Sequence, residues 1–383
     1  MYLSSLQLTG YRNYHQLNKT YCPGVNLFVG ANAQGKTNLV ESIYYLSIGK
    51  SYRANRDEQL ILWGARSFHI KGVVEQKNGV TEIETRYHKD ENPAKTILLD
   101  GLRQEKWEDA GGRFTSVLFS PESMSIIKGP PQERRGFLNY DISQISLSYG
   151  ANLYKYRRLL AQRNALLKKL GSVAMPLGEK KERLSLWDEQ LIGCGSSIIE
   201  KRVSFIGRLA PLVRLIHRKL ADSRDNMELR YMLHARDPQP AKQNADGRQY
   251  ASAFLREARE SYLEEDLRYG VTHWGPQRDD LRILLEGMDL KQYGSQGQQR
   301  TGVLALKLAE LEIFRGESGE YPVLLLDDVL SELDETRQQM LLRFIGGNNI
   351  QCFITSTEAK NIDFIEKRQI MRFIVNRGEI NEI

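Results

Sequence analysis

Apolar and polar residues alternate in short runs along the first third of the chain, which is the pattern of half-buried strands. The first such run covers 3–10, and the apolar run 24–29 is typical of a buried strand that enters a glycine-rich turn. The apolar residues of 37–48 recur instead at helical spacing and predict a helix. Further strands and turns are predicted at 68–76, 80–87, 96–99, Asn78-Gly79 and Asp100-Gly101.

The periodicity changes in the middle of the chain. Residues 143–222 have apolar positions at helical spacing, with an interruption near 171–178, and predict amphipathic helices. The polar segment 237–247 contains two prolines and predicts a loop. Strands followed by helices return from Leu281, and the last strands are predicted at 350–355 and 370–375.

This order favours an α/β head that is built from both ends of the chain, with a helical insertion between them. We therefore expect a discontinuous head from 1–142 and 271–383 and a mainly helical arm domain from 143–270. Two independent, consecutive domains are the alternative interpretation of the same pattern.

The positive charge of the chain is concentrated in the predicted arm. The whole chain has 54 Lys and Arg against 48 Asp and Glu, but residues 151–222 alone hold fifteen basic and six acidic side chains. Such a surplus favours contact with DNA phosphates or with an acidic partner, although a solvated helix surface is the plainer alternative. The DNA-binding candidates are Arg157, Arg158, Lys168, Lys169, Lys201 and Arg202.

Several classes of protein are excluded or disfavoured. No window of 18 apolar residues exists, which excludes a transmembrane transporter subunit, and we expect no membrane partner. The first residues lack a basic segment followed by an apolar one, so we expect no secretory signal. Three cysteines, Cys22, Cys194 and Cys352, have neither metal nor redox spacing and predict buried thiols in a reducing, cytoplasmic location.

Residues Gly30–Thr37 match the phosphate-binding loop pattern G-x-x-x-x-G-K-[ST]. In such a loop the backbone N–H groups and the N-terminus of the following helix surround a phosphate, and glycines allow the close approach. Lys36 is predicted to reach the β- and γ-phosphates of ATP, and Thr37 to offer its hydroxyl to Mg²⁺. The predicted cofactor-binding residues are Gly30, Ala31, Asn32, Ala33, Gln34, Gly35, Lys36, Thr37 and Asn38.

The apolar segment Pro322–Leu326 leads into Asp327 and Asp328, which is the Walker B pattern. Asp327 is predicted to hold Mg²⁺, and Asp328 to polarise the attacking water as the base. A helix N-cap is the alternative for such a pair. Lys36 and Asp327 are 291 residues apart, an interval that suits an ATP-binding-cassette (ABC) head with a long insertion better than a compact kinase or GTPase.

Two further segments support the cassette interpretation. Ser295, Gln296, Gly297 and Gln298 precede a helical run and resemble the cassette signature, which faces the ATP bound to a second subunit. Ser331 and Asp334 resemble the D-loop, and the residues at 355–357 include no histidine, so a hydroxyl would take the place of a switch histidine. If the signature completes the site in trans, ATP drives formation of a homodimer. A merely flexible Gly/Gln-rich loop is the alternative.

With all motifs in place, the chain resembles the RecF family of bacterial recombination-mediator ATPases, which is related to SMC-type heads. The resemblance is carried by Leu8–Tyr14, Gly49–Arg53, Phe119–Glu122, Lys128–Leu138 and Gly275–Leu281. The chain departs from the family at Asn139, where Asp is usual, and at Gln277, where His is frequent.

The resemblance implies a slow cytoplasmic ATPase that binds duplex DNA, single strands and above all single-strand gaps and junctions. It implies that the protein acts with RecO and RecR to promote RecA loading in DNA repair, replication-fork maintenance and the SOS response. It also implies that Arg12 and Asn13 lie near the nucleotide and that Pro121-Glu122 takes the Q-loop position. A P-loop phosphotransferase with a helical lid, or a cassette ATPase with another cellular role, are the alternatives.

Overall fold

The computed structural model describes residues 1–107, 112–221, 225–233, 247–358 and 369–383. The strands of these ranges are β1 (Tyr2–Tyr11), β2 (Tyr14–Thr20), β3 (Val25–Val29), β4 (Ser67–Gln76), β5 (Gly79–His88), β6 (Lys95–Leu99), β7 (Leu102–Gln104), β8 (Ser116–Phe119), β9 (Met227–Met232), β10 (Asp280–Leu285), β11 (Met288–Asp289), β12 (Val323–Asp327), β13 (Cys352–Ser356), β14 (Ile370–Asn376) and β15 (Glu379–Glu382). The helices are α1 (Lys36–Ile48), α2 (Ser125–Lys128), α3 (Pro131–Ile145), α4 (Leu147–Gly171), α5 (Leu177–Ala221), α6 (Gly247–Tyr269), α7 (Leu290–Tyr293), α8 (Gln296–Ser318) and α9 (Glu335–Gly347). Apart from Gly247, which begins α6, the loop predicted at 237–247 lies outside the described residues.

The first of two compact units comprises residues 1–124, 216–223 and 296–383. One of its sheets has six strands in the order β15-β14-β3-β13-β12-β8, and all of them are parallel except β15. All five residues of β12 are buried, as expected of a strand that is covered on both faces. Strand β3 lies between β13 and β14, so the centre of this sheet is made from the two ends of the chain.

A second sheet of this unit has the order β2-β1-β4-β5-β6-β7, and its neighbouring strands are antiparallel. Helix α1 contributes to the core that joins the two sheets, because Leu39 and Ile43 belong to one buried cluster with Leu6 of β1 and Phe28 of β3. Residue Gly72 of β4 gives this helix room, since a Cβ there would lie 2.6 Å from Leu46. Helix α1, which follows the phosphate-binding motif, is therefore held from both sides.

The second unit comprises residues 125–215 and 224–295, with helices α3, α4, most of α5, α6 and the small sheet β11-β10-β9. This unit includes residues 125–142 and 271–295, which the domain boundaries predicted from the sequence assign to the head. Strand β10 pairs with β9, Arg282 opposite Arg230, so the β-pattern that begins at Leu281 belongs to the small sheet. Helices α4 and α5 end and begin where the interruption near 171–178 was predicted.

The three cysteines are buried, as predicted. Within the described ranges, no helix is both long enough and apolar enough to cross a membrane.

Candidate nucleotide site

The phosphate-binding loop connects β3 to α1, and two of its glycines are required by their surroundings. Gly35 has φ of 119°, and a Cβ there would lie 2.6 Å from the side-chain amide nitrogen of Asn13. A Cβ on Gly30 would lie 2.4 Å from the carbonyl oxygen of Val375. Both positions therefore need a residue without a side chain.

The side chain of Lys36 is directed back onto this loop. It is only 7% exposed, and Nζ donates to the carbonyl oxygens of Gly30 at 2.5 Å and Ala31 at 2.8 Å. Burial lowers the pKa of Lys36, while the charges of Asp328 and Asp327 oppose that change. The ammonium group thus lies at the loop with two carboxylates nearby.

Asp327 is the last residue of β12 and lies opposite Thr355 of the neighbouring strand β13. Its Oδ1 accepts hydrogen bonds from Thr37 Oγ1 at 3.0 Å and Thr355 Oγ1 at 2.8 Å, and its Oδ2 accepts one from Tyr52 Oη at 3.0 Å. The carboxylate is 3% exposed. Burial raises its pKa, although the three hydroxyl donors oppose that effect. The P-loop threonine and the Walker B aspartate are therefore in direct contact.

Asp328 has an unusual backbone conformation, with φ of 53°, which non-glycine residues adopt only occasionally. The hydroxyl of Thr355 accepts a hydrogen bond from its backbone N–H at 2.9 Å. One threonine on β13 thus holds both acidic residues, by donating to the first and accepting from the second.

These side chains surround a cavity of about 360 Å³, a size found for small-molecule sites. Its lining residues are Asn32, Ala33, Gly35, Lys36, Thr37, Asn38, Arg53, Asp328 and Thr355. The lining is polar and includes cations and hydroxyls next to a helix N-terminus, which suits a polyanionic ligand.

The predicted signature and D-loop residues lie elsewhere. Ser295, Gln296, Gly297 and Gln298 are exposed at the start of α8, and none of the described residues 293–300 lines the cavity. Asp334 caps α9 by accepting a hydrogen bond from the backbone N–H of Arg337 at 3.0 Å, and Ser331 Oγ donates to the carbonyl oxygen of Asp328 at 2.7 Å. The D-loop is thereby connected to the acidic pair.

Arg12 and Asn13 have different positions. Asn13 contacts the loop directly, because Nδ2 donates to the carbonyl oxygen of Gln34 at 3.1 Å and Oδ1 accepts from Asn38 at 2.8 Å. Arg12 is not part of the cavity lining. It forms two hydrogen bonds, of 2.8 and 2.7 Å, with the buried carboxylate of Glu41 on α1, so its guanidinium is committed to positioning this helix.

Sequence reasoning missed two residues of the site. Tyr52 donates to Asp327, and Arg53 lines the cavity and donates to Asn38 Oδ1 at 3.1 Å. Both belong to the segment Gly49–Arg53, which carried part of the family resemblance. That resemblance was the available signal, since no general spacing rule links these residues to the P-loop.

The DNA-binding candidates separate into two groups. Exposed side chains are found at Arg157, Arg158, Lys168, Lys169 and Lys201. Arg202 is a correction, because it is 2% exposed and fully engaged inside the second unit. Its guanidinium donates to the side chains of Tyr149, Tyr231 and Asn139 and to the carbonyl oxygen of Pro276, at 2.8 to 3.0 Å. A guanidinium in this position cannot reach a phosphate.

Comparison with known proteins gives consistent matches over the whole chain. A family model described as the RecF/RecN/SMC N terminal domain matches residues 2–380. The DNA replication and repair protein RecF of Alkaliphilus oremlandii (strain OhILAs) is 39% identical over 382 residues, which cover 100% of both chains. A solved structure of the recombination mediator protein RecF-ATP in the RecFOR pathway is 34% identical with a TM-score of 0.87, covering 100% of this chain and 97% of that one.

A more distant structure, an Smc head bound to the C-winged helix domain of ScpA, is 15% identical with a TM-score of 0.54. It covers 100% of this chain and 97% of that one and shows the fold alone. Together with the family match, it confirms the predicted class: an α/β cassette-type head that is built from both chain ends, with an inserted arm.

Proposed function

The chain belongs to the RecF family, and on that premise we propose that it is an ATP-dependent DNA-binding protein of recombinational repair. One observation carries the proposal. P-loop residues, Asp328 and Thr355 line one polar cavity, Asp327 is hydrogen-bonded to the lining residue Thr37, and the signature residues are exposed and do not line the cavity. Such a cavity holds the phosphates of a nucleotide and leaves one side to be completed by another subunit.

The residues of the cavity fit ATP with Mg²⁺. Thr37 Oγ1 and Asp327 Oδ1 are hard oxygen donors 3.0 Å apart. Two neighbouring ligands of an octahedral Mg²⁺ site, each at 2.0–2.1 Å, are separated by roughly the same distance, about 2.9 Å. Thr37 and Asp327 would hold the cation, which neutralises phosphate charge when bound.

The remaining roles belong to side chains of the chain itself. Lys36 leaves the carbonyl oxygens of Gly30 and Ala31 and donates to the phosphates, with the backbone N–H groups of the loop around them. Asp328 orients the attacking water and accepts its proton. Thr355 keeps the two carboxylates in different orientations, and so maintains their separate tasks.

We propose that two copies of the chain enclose two ATP molecules, with Ser295 and the exposed N-terminus of α8 from one copy facing the ATP of the other. Hydrolysis then separates the copies. In the bound state the dimer would hold DNA at single-strand gaps and duplex–single-strand junctions and act with RecO and RecR to load RecA. The names of the similar proteins and the exposed cations of α4 and α5 support this part.

Analytical ultracentrifugation tests the switch. We expect a monomer without nucleotide and a dimer with ATP and Mg²⁺. Ser295→Arg places a large cation at the proposed subunit contact, so it should bind ATP and stay monomeric. Asp328→Asn lacks the base and should accumulate as the ATP-bound dimer.

A monomer under all conditions would rule out the dimer, and unimpaired hydrolysis by Asp328→Asn would rule out its role as base. A gel-shift comparison of gapped and blunt duplex, with ATP, with ADP and without nucleotide, tests the DNA part. Turnover that responds to a small acceptor and not to DNA would indicate a phosphotransferase instead.

A further inference from the structure

The ends of α4 and α6 meet in the second unit at two glycines. Gly270 follows α6 with φ of 65°, and its N–H donates to the carbonyl oxygen of Asp266 at 2.8 Å, which ends the helix. A Cβ on Gly270 would lie 2.6 Å from Cγ of Lys168, and one on Gly171 would lie 2.6 Å from the carbonyl oxygen of Leu267. The stem of Lys168 is therefore fixed directly beside the end of α6.

An exposed aromatic ring lies at this junction. Tyr269, the last residue of α6, is 58% exposed, and the guanidinium of Arg268 lies 5.4 Å from its ring centroid. On another side its ring meets that of His273, edge to face, with centroids 5.7 Å apart. His273 is in turn held by Asp266, whose Oδ1 lies 2.9 Å from Nδ1. Tyr269 is thus contacted by Arg268 and His273 while more than half of the residue stays exposed.

Asp266 is itself firmly fixed. It is fully buried, and its Oδ2 accepts hydrogen bonds from Arg163 at 2.7 Å and from the indole N–H of Trp274 at 3.1 Å. The orientation of His273, and through it that of Tyr269, therefore depends on a buried network. An aromatic side chain that is ordered before binding loses less conformational entropy when a ligand stacks on it.

The cations of this junction differ from Arg256 of α6 and Lys181 of α5. Arg256 is bonded to Glu189 at 2.6 Å, and Lys181 to Glu260 at 2.6 Å, so these charges are neutralised. By contrast, Lys168, Lys169 and Arg268 are exposed and form no ion pair with any residue that the structure describes. Two acidic residues lie one helical turn before Arg268, the exposed Glu264 and the half-buried Glu265.

We propose that Lys168, Lys169, Arg268 and Tyr269 form a binding site for single-stranded nucleic acid, in which a base stacks on Tyr269 and the cations contact the flanking phosphates. Sites of this kind combine an aromatic ring with unpaired cations, and they favour single strands because a duplex covers the faces of its bases. The inference rests on the proposed DNA-binding function and assigns one part of it to the end of the arm helices.

The test measures fluorescence anisotropy of a labelled oligothymidylate and of a blunt duplex with the full-length chain. Tyr269→Ala should weaken single-strand binding about five-fold or more and change duplex binding much less. Tyr269→Phe keeps the ring and should bind normally. Glu264→Gln removes a repulsive charge and should strengthen binding of the single strand.

A matched pair of lysine variants tests the phosphate contacts. Lys168→Gln should reduce the slope of log affinity against log salt concentration by about 0.7, the value for one phosphate contact on a single strand. Lys181→Gln removes a lysine that is paired with Glu260 and should leave the slope unchanged. Thermal unfolding of each variant identifies any that fail to fold.

The results separate the two proposals. If the unaltered chain binds neither DNA, the proposed function fails. If it binds DNA but Tyr269→Ala has no effect, or weakens duplex and single strand equally, the site at the end of α6 is wrong and the proposed function stands. If Lys168→Gln lowers thermal stability but leaves DNA binding unchanged, the site is also wrong. Lys168 would then stabilise the C-terminal end of α4 through the helix dipole.

Discussion

Asp327 and Arg202 are both ionisable and buried, one in each compact unit, but their neighbours affect their pKa values differently. Among the residues that the structure describes, the carboxylate of Asp327 accepts hydrogen bonds from three neutral hydroxyls, those of Thr37, Tyr52 and Thr355, and burial raises its pKa. Its charged form is therefore disfavoured in the fold. Such unfavourable burial is typical of a position kept for binding or catalysis.

The guanidinium of Arg202 has four hydrogen-bond acceptors around it. Burial alone lowers its pKa, but Tyr149, Tyr231 and Asp279 outweigh that effect, and the pKa of Arg202 lies above its ordinary value. Tyr231 connects to Asp279 by a hydrogen bond of 2.6 Å, so the network includes a compensating carboxylate. The comparison indicates that Arg202 stabilises its unit through partners that favour its charge, whereas the hydrogen bonds of Asp327 do not offset the effect of its burial, as is typical of a residue that binds a ligand.

The largest effect is expected from Arg202→Ala. It removes the donor to Asn139, to the Pro276 carbonyl and to two tyrosine hydroxyls, and it removes the positive charge near Asp279. Because this network is buried, we expect a loss of about 3–5 kcal/mol in the free energy of unfolding. Urea denaturation followed by circular dichroism measures it. A loss below about 1 kcal/mol would show that the network is not structural.

A smaller effect, of opposite sign and dependent on pH, is expected from Asp327→Asn. Because burial raises the pKa of Asp327, the folded chain binds this proton more tightly than the unfolded chain. The stability of the unaltered protein therefore falls as pH rises from the ordinary carboxyl pKa of about 4 through the raised value in the fold.

Asp327→Asn lacks that titration, so without nucleotide its free energy of unfolding should exceed that of the unaltered chain at neutral pH. The difference should disappear below about pH 4. Urea titrations across this range measure both, and ATP turnover of the variant should be lost. A variant less stable at pH 7 would mean that the fold benefits from the charge.

The smallest effect is expected from Lys201→Gln, which changes the exposed neighbour of Arg202 in sequence. Exposed side chains without specific contacts change stability by no more than about 0.5 kcal/mol. The same urea experiment serves as the matched control for Arg202→Ala. If both variants lose similar stability, burial would not be what distinguishes the two cations.

The sequence predicts the nucleotide site better than it predicts the arm. The motif that includes Lys36 and the apolar strand before Asp327 each determine a local backbone path, and the carboxyl ends of neighbouring parallel strands meet at one edge. Eight strands of the first unit were predicted within a few residues, whereas the strands β2, β7, β8 and β15 were not predicted. The partnership of Thr355 with both acidic residues depends on strand order, which no local pattern encodes.

In the arm, the sequence shows only the net charge of the segment and the helical spacing of its apolar residues. It cannot tell Arg202 from Lys201, because burial depends on which helix faces meet. Asn139 illustrates the difficulty, since it departs from the family pattern and yet accepts hydrogen bonds from Arg202 at 2.8 Å and Tyr149 at 2.7 Å. Only the packed structure shows that this amide completes the buried network.

The position of β3 has a consequence for biosynthesis. Its final neighbours, β13 and β14, lie about 330 residues later in the chain, and at roughly 5–20 residues per second the ribosome needs about 15 to 65 seconds to reach them. During that time the apolar strand before the P-loop has no partner from its final sheet. We therefore expect the nascent polypeptide to depend on chaperones or on temporary contacts within its first half, and the nucleotide cavity to form only after synthesis of β13.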